Sequence, residues 1–210
     1  MRNESEFLKL NQAKWDKWSA SLDSDGWKYK YLRQAQQDLI DLISLKDDVR
    51  FLDVGCGTGW AIGQAIKAVN GKGIFYGVDL SDKMIDKAKL NFGETSNVHF
   101  IKANAELIPL EGNFFDIIIC TNSFHHYLNP DKSLKEFHRL LKTSGKVYIL
   151  DPTADSIFLK WIDKIVKRLE PEHVKIYSTK EFINLFNLAG LKYSGPLVIK
   201  KHQKAHVGEK

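Results

Sequence analysis

The chain reads as an α/β protein, with a mostly parallel sheet carrying helices on both faces. Three observations predict this. Between residues 50 and 150, short apolar runs alternate with segments of helical periodicity. One of those runs, Ile117-Ile118-Ile119, is the continuous apolar block of a strand buried on both sides. The first run also breaks into a glycine turn that opens a helix, the junction at which nucleotide cofactors bind.

Each element follows from a local signal. Arg50–Val54 is the first strand, and the helix after it, Trp60–Asn70, ends at Asn70-Gly71. Gly73–Val78 is the second strand. Ser81 caps the next helix, which carries Met84, Ile85, Ala88 and Leu90 on one side. Val98–Ile101 and Phe115–Cys120 are strands three and four. Pro130 opens a helix in its first turn, with Leu134, Phe137, Leu140 and Leu141 toward the core, and Ser144-Gly145 ends it. Lys146–Leu150 is strand five. Ile157, Phe158, Trp161, Ile162, Ile165, Val166 and Leu169 recur at helical spacing, and Pro171 closes that helix. Ser178 and Glu181 have capping-box spacing, so a helix starts there and ends at Ala189-Gly190. Leu191–Lys210 reads as one or two edge strands, interrupted at Gly195-Pro196. Residues 1–48 precede the sheet as a helical, aromatic segment with Trp15, Trp18, Trp27, Tyr29 and Tyr31. Residues 49–210 form a single globular unit.

A length of 210 residues suits one α/β unit, and 43% hydrophobic residues is ordinary for a globular chain. The polar start lacks the apolar run of a signal peptide, and no stretch approaches a membrane span. The two cysteines, Cys56 and Cys120, imply neither a disulfide framework nor a metal set, and no metal is expected. A cytoplasmic setting follows as the default. The net charge of +5 fits a nucleic-acid partner or a lysine-rich surface; without an RNA-binding signature, nucleic acid is disfavoured.

Phe51-Leu52-Asp53-Val54-Gly55-Cys56-Gly57-Thr58-Gly59 is the most informative run. A dinucleotide fingerprint would need its third glycine at Trp60 or Ile62, and no Gly-Lys-Ser/Thr follows for a phosphate loop. Asp53 suits a cationic ligand group. Asp79, at the end of strand two, lies at the distance from the loop where an acid accepts ribose hydroxyls.

Leu52–Gly59 resembles motif I of the class I S-adenosylmethionine-dependent methyltransferases, in particular the methyltransferase type 11 and ubiquinone/menaquinone C-methyltransferase-like group. The resemblance covers about residues 45–152. It implies a Rossmann-like, doubly wound, seven-stranded sheet, with the N-terminal helices as a lid over the site. It also implies S-adenosyl-L-methionine as cofactor. The loop Gly55, Cys56, Gly57, Thr58 and Gly59 would wrap the methionine end near Asp53, and Asp79 would hold the ribose. Leu80 and Met84 would meet the adenine face. Asn104, Ala105 and Glu106 would meet the adenine edge, with Asn104 standing where the family usually has Asp. Thr121 completes the cofactor set.

The acceptor belongs beyond strand four, at Thr121–His126. That run lacks the Asn/Asp-Pro-Pro-aromatic motif of amino-group enzymes, the carboxylates of catechol-type enzymes and the thiols of arsenite-type enzymes. Asn122, Ser123, Phe124 and His126 instead match the Asn-Ser-Phe-x-His run of glycine N-methyltransferase-like proteins. Asn122 and His126 are therefore the catalytic candidates, His126 as base, positioning group or loop cap. Asp151 is a second base candidate. His125 is expected to point elsewhere, and His138 and His173 to lie at the surface. The leading expectation is methyl transfer to a small molecule by a monomer or homodimer. Two alternatives stand beside it, an RNA or protein methyltransferase and a non-catalytic S-adenosylmethionine-binding protein.

Overall fold

Side chains of a strand alternate between two faces, and here both faces are apolar. In β1 (Arg50–Val54), Leu52 and Val54 join one core cluster and Phe51 joins the other. The same division continues in β2 (Ile74–Asp79), where Val78 and Phe75 part, and in β4 (Phe115–Thr121), where Ile118 and Ile119 part. Helices must therefore cover both sides. The computed structural model describes residues 3–19, 27–200 and 202–210.

α2 (Trp27–Leu42), α3 (Trp60–Ala68) and α4 (Asp82–Phe92) cover the Phe51 face through Leu39, Ile40, Ile62, Ala65 and Ile85. α5 (Pro130–Leu140) and α7 (Thr179–Leu188) cover the Leu52 face through Leu134, Phe137, Phe182 and Phe186. The remaining strands are β3 (Val98–Lys102), β5 (Leu141–Pro152), β6 (Lys192–Lys200) and β7 (Gln203–Glu209). Among the described residues, seven strands form one sheet in the order β3-β2-β1-β4-β5-β7-β6. β1 to β5 run parallel; β7 pairs antiparallel with both β5 and β6. The order reverses between β1 and β4, so a crevice opens beyond Val54 and Thr121.

The local signals hold where they are strongest. Ser81 Oγ accepts the Met84 N–H, and Ser178 with Glu181 forms a reciprocal capping box. Pro130 stands in the first turn of α5. Four expectations need correction. Leu90 is 82% exposed, since Met84, Ile85 and Ala88 already define the buried face of α4. α5 ends at Leu140 and β5 begins at once, with a register shift opposite Phe115/Ile117 that takes up the turn at Ser144-Gly145. β7 is an interior strand, held by β5 on one side and β6 on the other. Gly195-Pro196 bends β6 without ending it: Gly195 has φ 107 at a register shift, and β6 pairs on one side only.

α1 (Glu4–Trp18) and α6 (Ile157–Leu169) lie outside these two layers. α1 has an Asn3 N-cap and buries Phe7 and Asn11. Residues 1–2 and 20–26 of the expected N-terminal helical segment lie outside the described residues. Leu159 is buried in α6, whereas Ile157, Phe158, Trp161 and Leu169 are exposed. No helix among the described residues is long and apolar enough to cross a membrane.

Candidate active site

The glycine loop is built by close approach. Gly55 (φ 77) and Cys56 both donate their N–H to the Val78 carbonyl, at 2.7 and 3.0 Å. A Cβ on Gly55 would stand 2.2 Å from Ser123 Oγ. At Gly57 (φ 53) a Cβ would meet nothing within 4 Å, because that residue faces a cavity of about 640 Å³. Gly59 serves packing: at the start of α3 with φ 85, its Cβ would strike the Phe92 ring at 2.7 Å.

The cavity lies over the β1/β4 switch and gathers most of the residues singled out in the sequence. Gly55, Cys56, Gly57 and Thr58 line it from the loop, and Asp79, Leu80 and Met84 from the end of β2 and the start of α4. Asn104, Ala105 and Glu106 line it after β3; Thr121, Asn122 and His126 line it after β4. Asp53 and Gly59 do not line it.

Asp79 is the electrostatic hinge of the glycine loop. Its carboxylate accepts the Gly57 N–H and the Ser81 N–H, each at 2.9 Å. Burial pushes its pKa up, and these N–H bonds oppose the shift. A carboxylate has about four acceptor sites, so it can still take ribose hydroxyls. Asp53 is 1% exposed, and neither of its oxygens has a hydrogen-bond partner among the described residues. Burial, then the charge of Asp79, raises its pKa to about 8. An orphaned acid behind an open glycine cradle fits a cationic sulfonium or ammonium group. Burial holds the Cys56 and Cys120 thiols protonated, so neither is poised as a nucleophile. After β3, Asn104 Oδ1 accepts the Glu106 N–H at 3.1 Å, and the Glu106 carboxylate accepts from Asn129 Nδ2.

Beyond β4 a 3₁₀ turn, Phe124–His126, sorts its side chains by its threefold period. Phe124 is fully buried against Tyr177 and Phe182, which throws His125 and His126 to the cavity side. The expectation that His125 points elsewhere is thus corrected: the two rings lie 4.0 Å apart. His125 Nδ1 lies 2.7 Å from Asp151 Oδ1, and its backbone N–H donates to Asp151 Oδ2 at 2.8 Å. His126 Nδ1 faces the Glu172 carbonyl at 3.1 Å, with Trp15 edge-on at 5.0 Å.

His173, expected at the surface, is 4% exposed and lines the cavity. Its Nε2 is 2.7 Å from Asp163. The loop after α6 folds onto the 3₁₀ turn, as Val174 and Lys175 both donate to the His125 carbonyl. His138 is half-buried on α5. Asn122 (φ 52) accepts from Gln203 Nε2 at 2.7 Å. That bond leaves Asn122 Nδ2 and Gln203 Oε1 buried without partners among the described residues. His173 and Gln203 carry no sequence signal, since packing alone brings them to the site.

The other walls are aromatic and apolar. α1 supplies Trp15 and Trp18, α2 supplies Tyr31 and Gln36, and α6 supplies Leu159, Ile162 and Val166. Gln36 donates to Thr121 Oγ1 at 2.6 Å, and Lys14 pairs with Glu170 and Glu172, fixing α1 and α2 over the cavity.

Fold and site together define a class I S-adenosylmethionine-dependent methyltransferase. A methyltransferase-domain family model matches residues 45–190, and the chain belongs to that family. The chain is similar to ubiquinone/menaquinone biosynthesis C-methyltransferases named UbiE. With that of Wigglesworthia glossinidia brevipalpis it is 32% identical over 111 residues, 51% of this chain and 44% of the relative. With that of Blochmanniella floridana it is 34% identical over 119 residues, 55% and 47% of the two chains. The matched part thus spans about half the length of these relatives. Among solved structures, an S-adenosylmethionine-dependent methyltransferase from Aquifex aeolicus shares the fold with TM-score 0.69. It is 23% identical and matches across 100% of this chain and 99% of that one. A chain of the Haloferax volcanii complex between the Trm112 methyltransferase activator and a methyltransferase superposes with TM-score 0.78. It is 18% identical, with 93% and 97% coverage.

Proposed function

We propose that this chain transfers the methyl group of S-adenosylmethionine to a small, largely apolar molecule held beneath α1, α2 and α6. One observation carries the reading: a single cavity of about 640 Å³ runs from the Gly57 loop to the His125-His126 pair under an aromatic roof. That volume falls among the ~300–1,000 Å³ typical of small-molecule sites. Enclosure by Trp15, Trp18 and Leu159 speaks for a compact acceptor over a polymer. The relatives' names support an aromatic or quinone-like ring as the acceptor.

In this reading the cofactor supplies an already activated methyl group for in-line displacement. The protein's share is placement and water exclusion. Gly57 gives the methionine end room, Asp79 holds the ribose, and Leu80, Met84 and Asn104–Glu106 bracket the adenine. Asn122 and Gln203, hydrogen-bonded to each other at 2.7 Å, line the cavity beside the acceptor. His126 is held by the Glu172 carbonyl and Trp15 at the acceptor end, where it orients the acceptor. α1 and α2 act as a lid that admits the acceptor and closes behind it.

The test is incubation of the protein with methyl-labelled S-adenosylmethionine and a size-fractionated cell extract. Label in the small-molecule fraction, with S-adenosylhomocysteine released, supports the proposal. Label confined to RNA or protein, or no turnover with intact cofactor binding, contradicts it.

A further inference from the structure

Three imidazoles converge on one side of the cavity. One ring nitrogen each of His125, His126 and His173 lies within 4.8 Å of the other two. The ring centroids are 4.0, 5.6 and 6.1 Å apart. An ion about 2.0–2.1 Å from an imidazole nitrogen sits ~3.2 Å from that ring's centroid, so rings sharing one ion lie within ~6.4 Å. All three pairs meet this limit. Ring nitrogens on one tetrahedral ion stand ~3.3–3.4 Å apart, so the cluster needs to close by up to ~1.5 Å.

The outer contacts orient the three rings. His125 Nδ1 faces the Asp151 carboxylate, His126 Nδ1 the Glu172 carbonyl and His173 Nε2 the Asp163 carboxylate. These oxygens are acceptors, so those three nitrogens carry the ring protons. In that tautomer of the neutral rings, ligation falls to His125 Nε2, His126 Nε2 and His173 Nδ1. An imidazole whose second nitrogen donates to a carboxylate or backbone carbonyl is the usual form of a histidine metal ligand. The acceptors are themselves fixed: Asp151 also takes the His125 N–H at 2.8 Å, and Asp163 the Ile176 N–H at 2.7 Å.

We infer that His125, His126 and His173 form a three-imidazole site for a divalent transition metal of the zinc class. Three neutral imidazoles with one position left over is a known open zinc set. Asp151 and Asp163, one ring away, offset the ion's charge. All three histidines line the cavity, so the open position faces the bound molecule and takes an oxygen or nitrogen of it. That last role rests on the proposed methyl transfer; the metal site does not.

The test uses the full chain, stripped with a chelator and titrated with cobalt(II) as a visible probe, then with zinc(II) by calorimetry. One equivalent of cobalt with tetrahedral d–d absorption, displaced by zinc, is expected. His173→Gln weakens zinc binding by more than about tenfold, and Asp163→Asn by about tenfold or more. S-adenosylhomocysteine binding, measured on the same samples, reports folding separately from the metal. Absence of saturable binding to the wild-type chain overturns the inference. Binding that survives unchanged in folded His173→Gln and Asp163→Asn overturns it too.

Discussion

The Asp79 carboxylate accepts the Gly57 N–H at 2.9 Å, tying the end of β2 to the glycine loop of β1. Its second oxygen takes the Ser81 N–H at the start of α4. One side chain therefore sets the loop's shape and presents the acid that the ribose would meet. Asp79→Ala should weaken S-adenosylhomocysteine binding by about 1–3 kcal/mol, read by calorimetry. Unchanged affinity would mean that the ribose sits elsewhere.

Two glycines of the loop should fail in different ways. Gly55→Ala drives a Cβ to 2.2 Å from Ser123 Oγ, so it should lower thermal stability. Gly57→Ala meets open space and costs about 1–2 kcal/mol of left-handed backbone strain. Its larger effect should be on cofactor affinity, because the added methyl enters the cavity. Melting curves and calorimetry on the two variants separate these outcomes, and an inverted pattern would contradict the assignment.

The loop was legible because its signal is local. The Ser81 cap and the Ser178/Glu181 capping box were legible for the same reason: donor, acceptor and spacing lie within one turn. The acceptor side was less so. His173 reaches His126 because the loop after α6 folds back, and Gln203 reaches Asn122 because β7 inserts between β5 and β6. Neither long-range pairing leaves a periodicity to read. Asp53 marks the limit of the loop's local signal. The motif puts it near the ligand, whereas its side chain is 1% exposed and does not line the cavity, and burial favours its neutral form.

That burial has a pH signature. Asp53 has its pKa raised from 3.8 to about 8 in the folded chain, so the fold favours its neutral form. Between pH 4 and 8 the unfolded chain has ionised this group and the folded chain has not. Its contribution to stability is complete below about pH 4 and declines as pH rises toward 8. Asp53→Asn should remove that slope, so its melting temperature relative to wild type should rise from pH 5 to pH 8. A constant difference across the range would contradict it.

α1 is tied to the loop after α6 through Lys14, which pairs with Glu170 and Glu172. Removing its charge strands the Glu172 carboxylate, which is 7% exposed, and frees α1 from the loop that carries His173. Lys14→Met should speed hydrogen exchange in α1 severalfold and lower methyl transfer, while S-adenosylhomocysteine affinity stays near wild type. Unaltered exchange in α1 would show that other contacts hold it.

One cavity is proposed to have a cofactor end at Asp79 and a separate acceptor end at His126. This division is tested most directly by titrating S-adenosylhomocysteine into His126→Ala and measuring label transfer to the small-molecule fraction with the same sample. Affinity within about threefold of wild type, under ~0.7 kcal/mol, is expected together with a clear loss of transfer. Equal loss of affinity and transfer would contradict it.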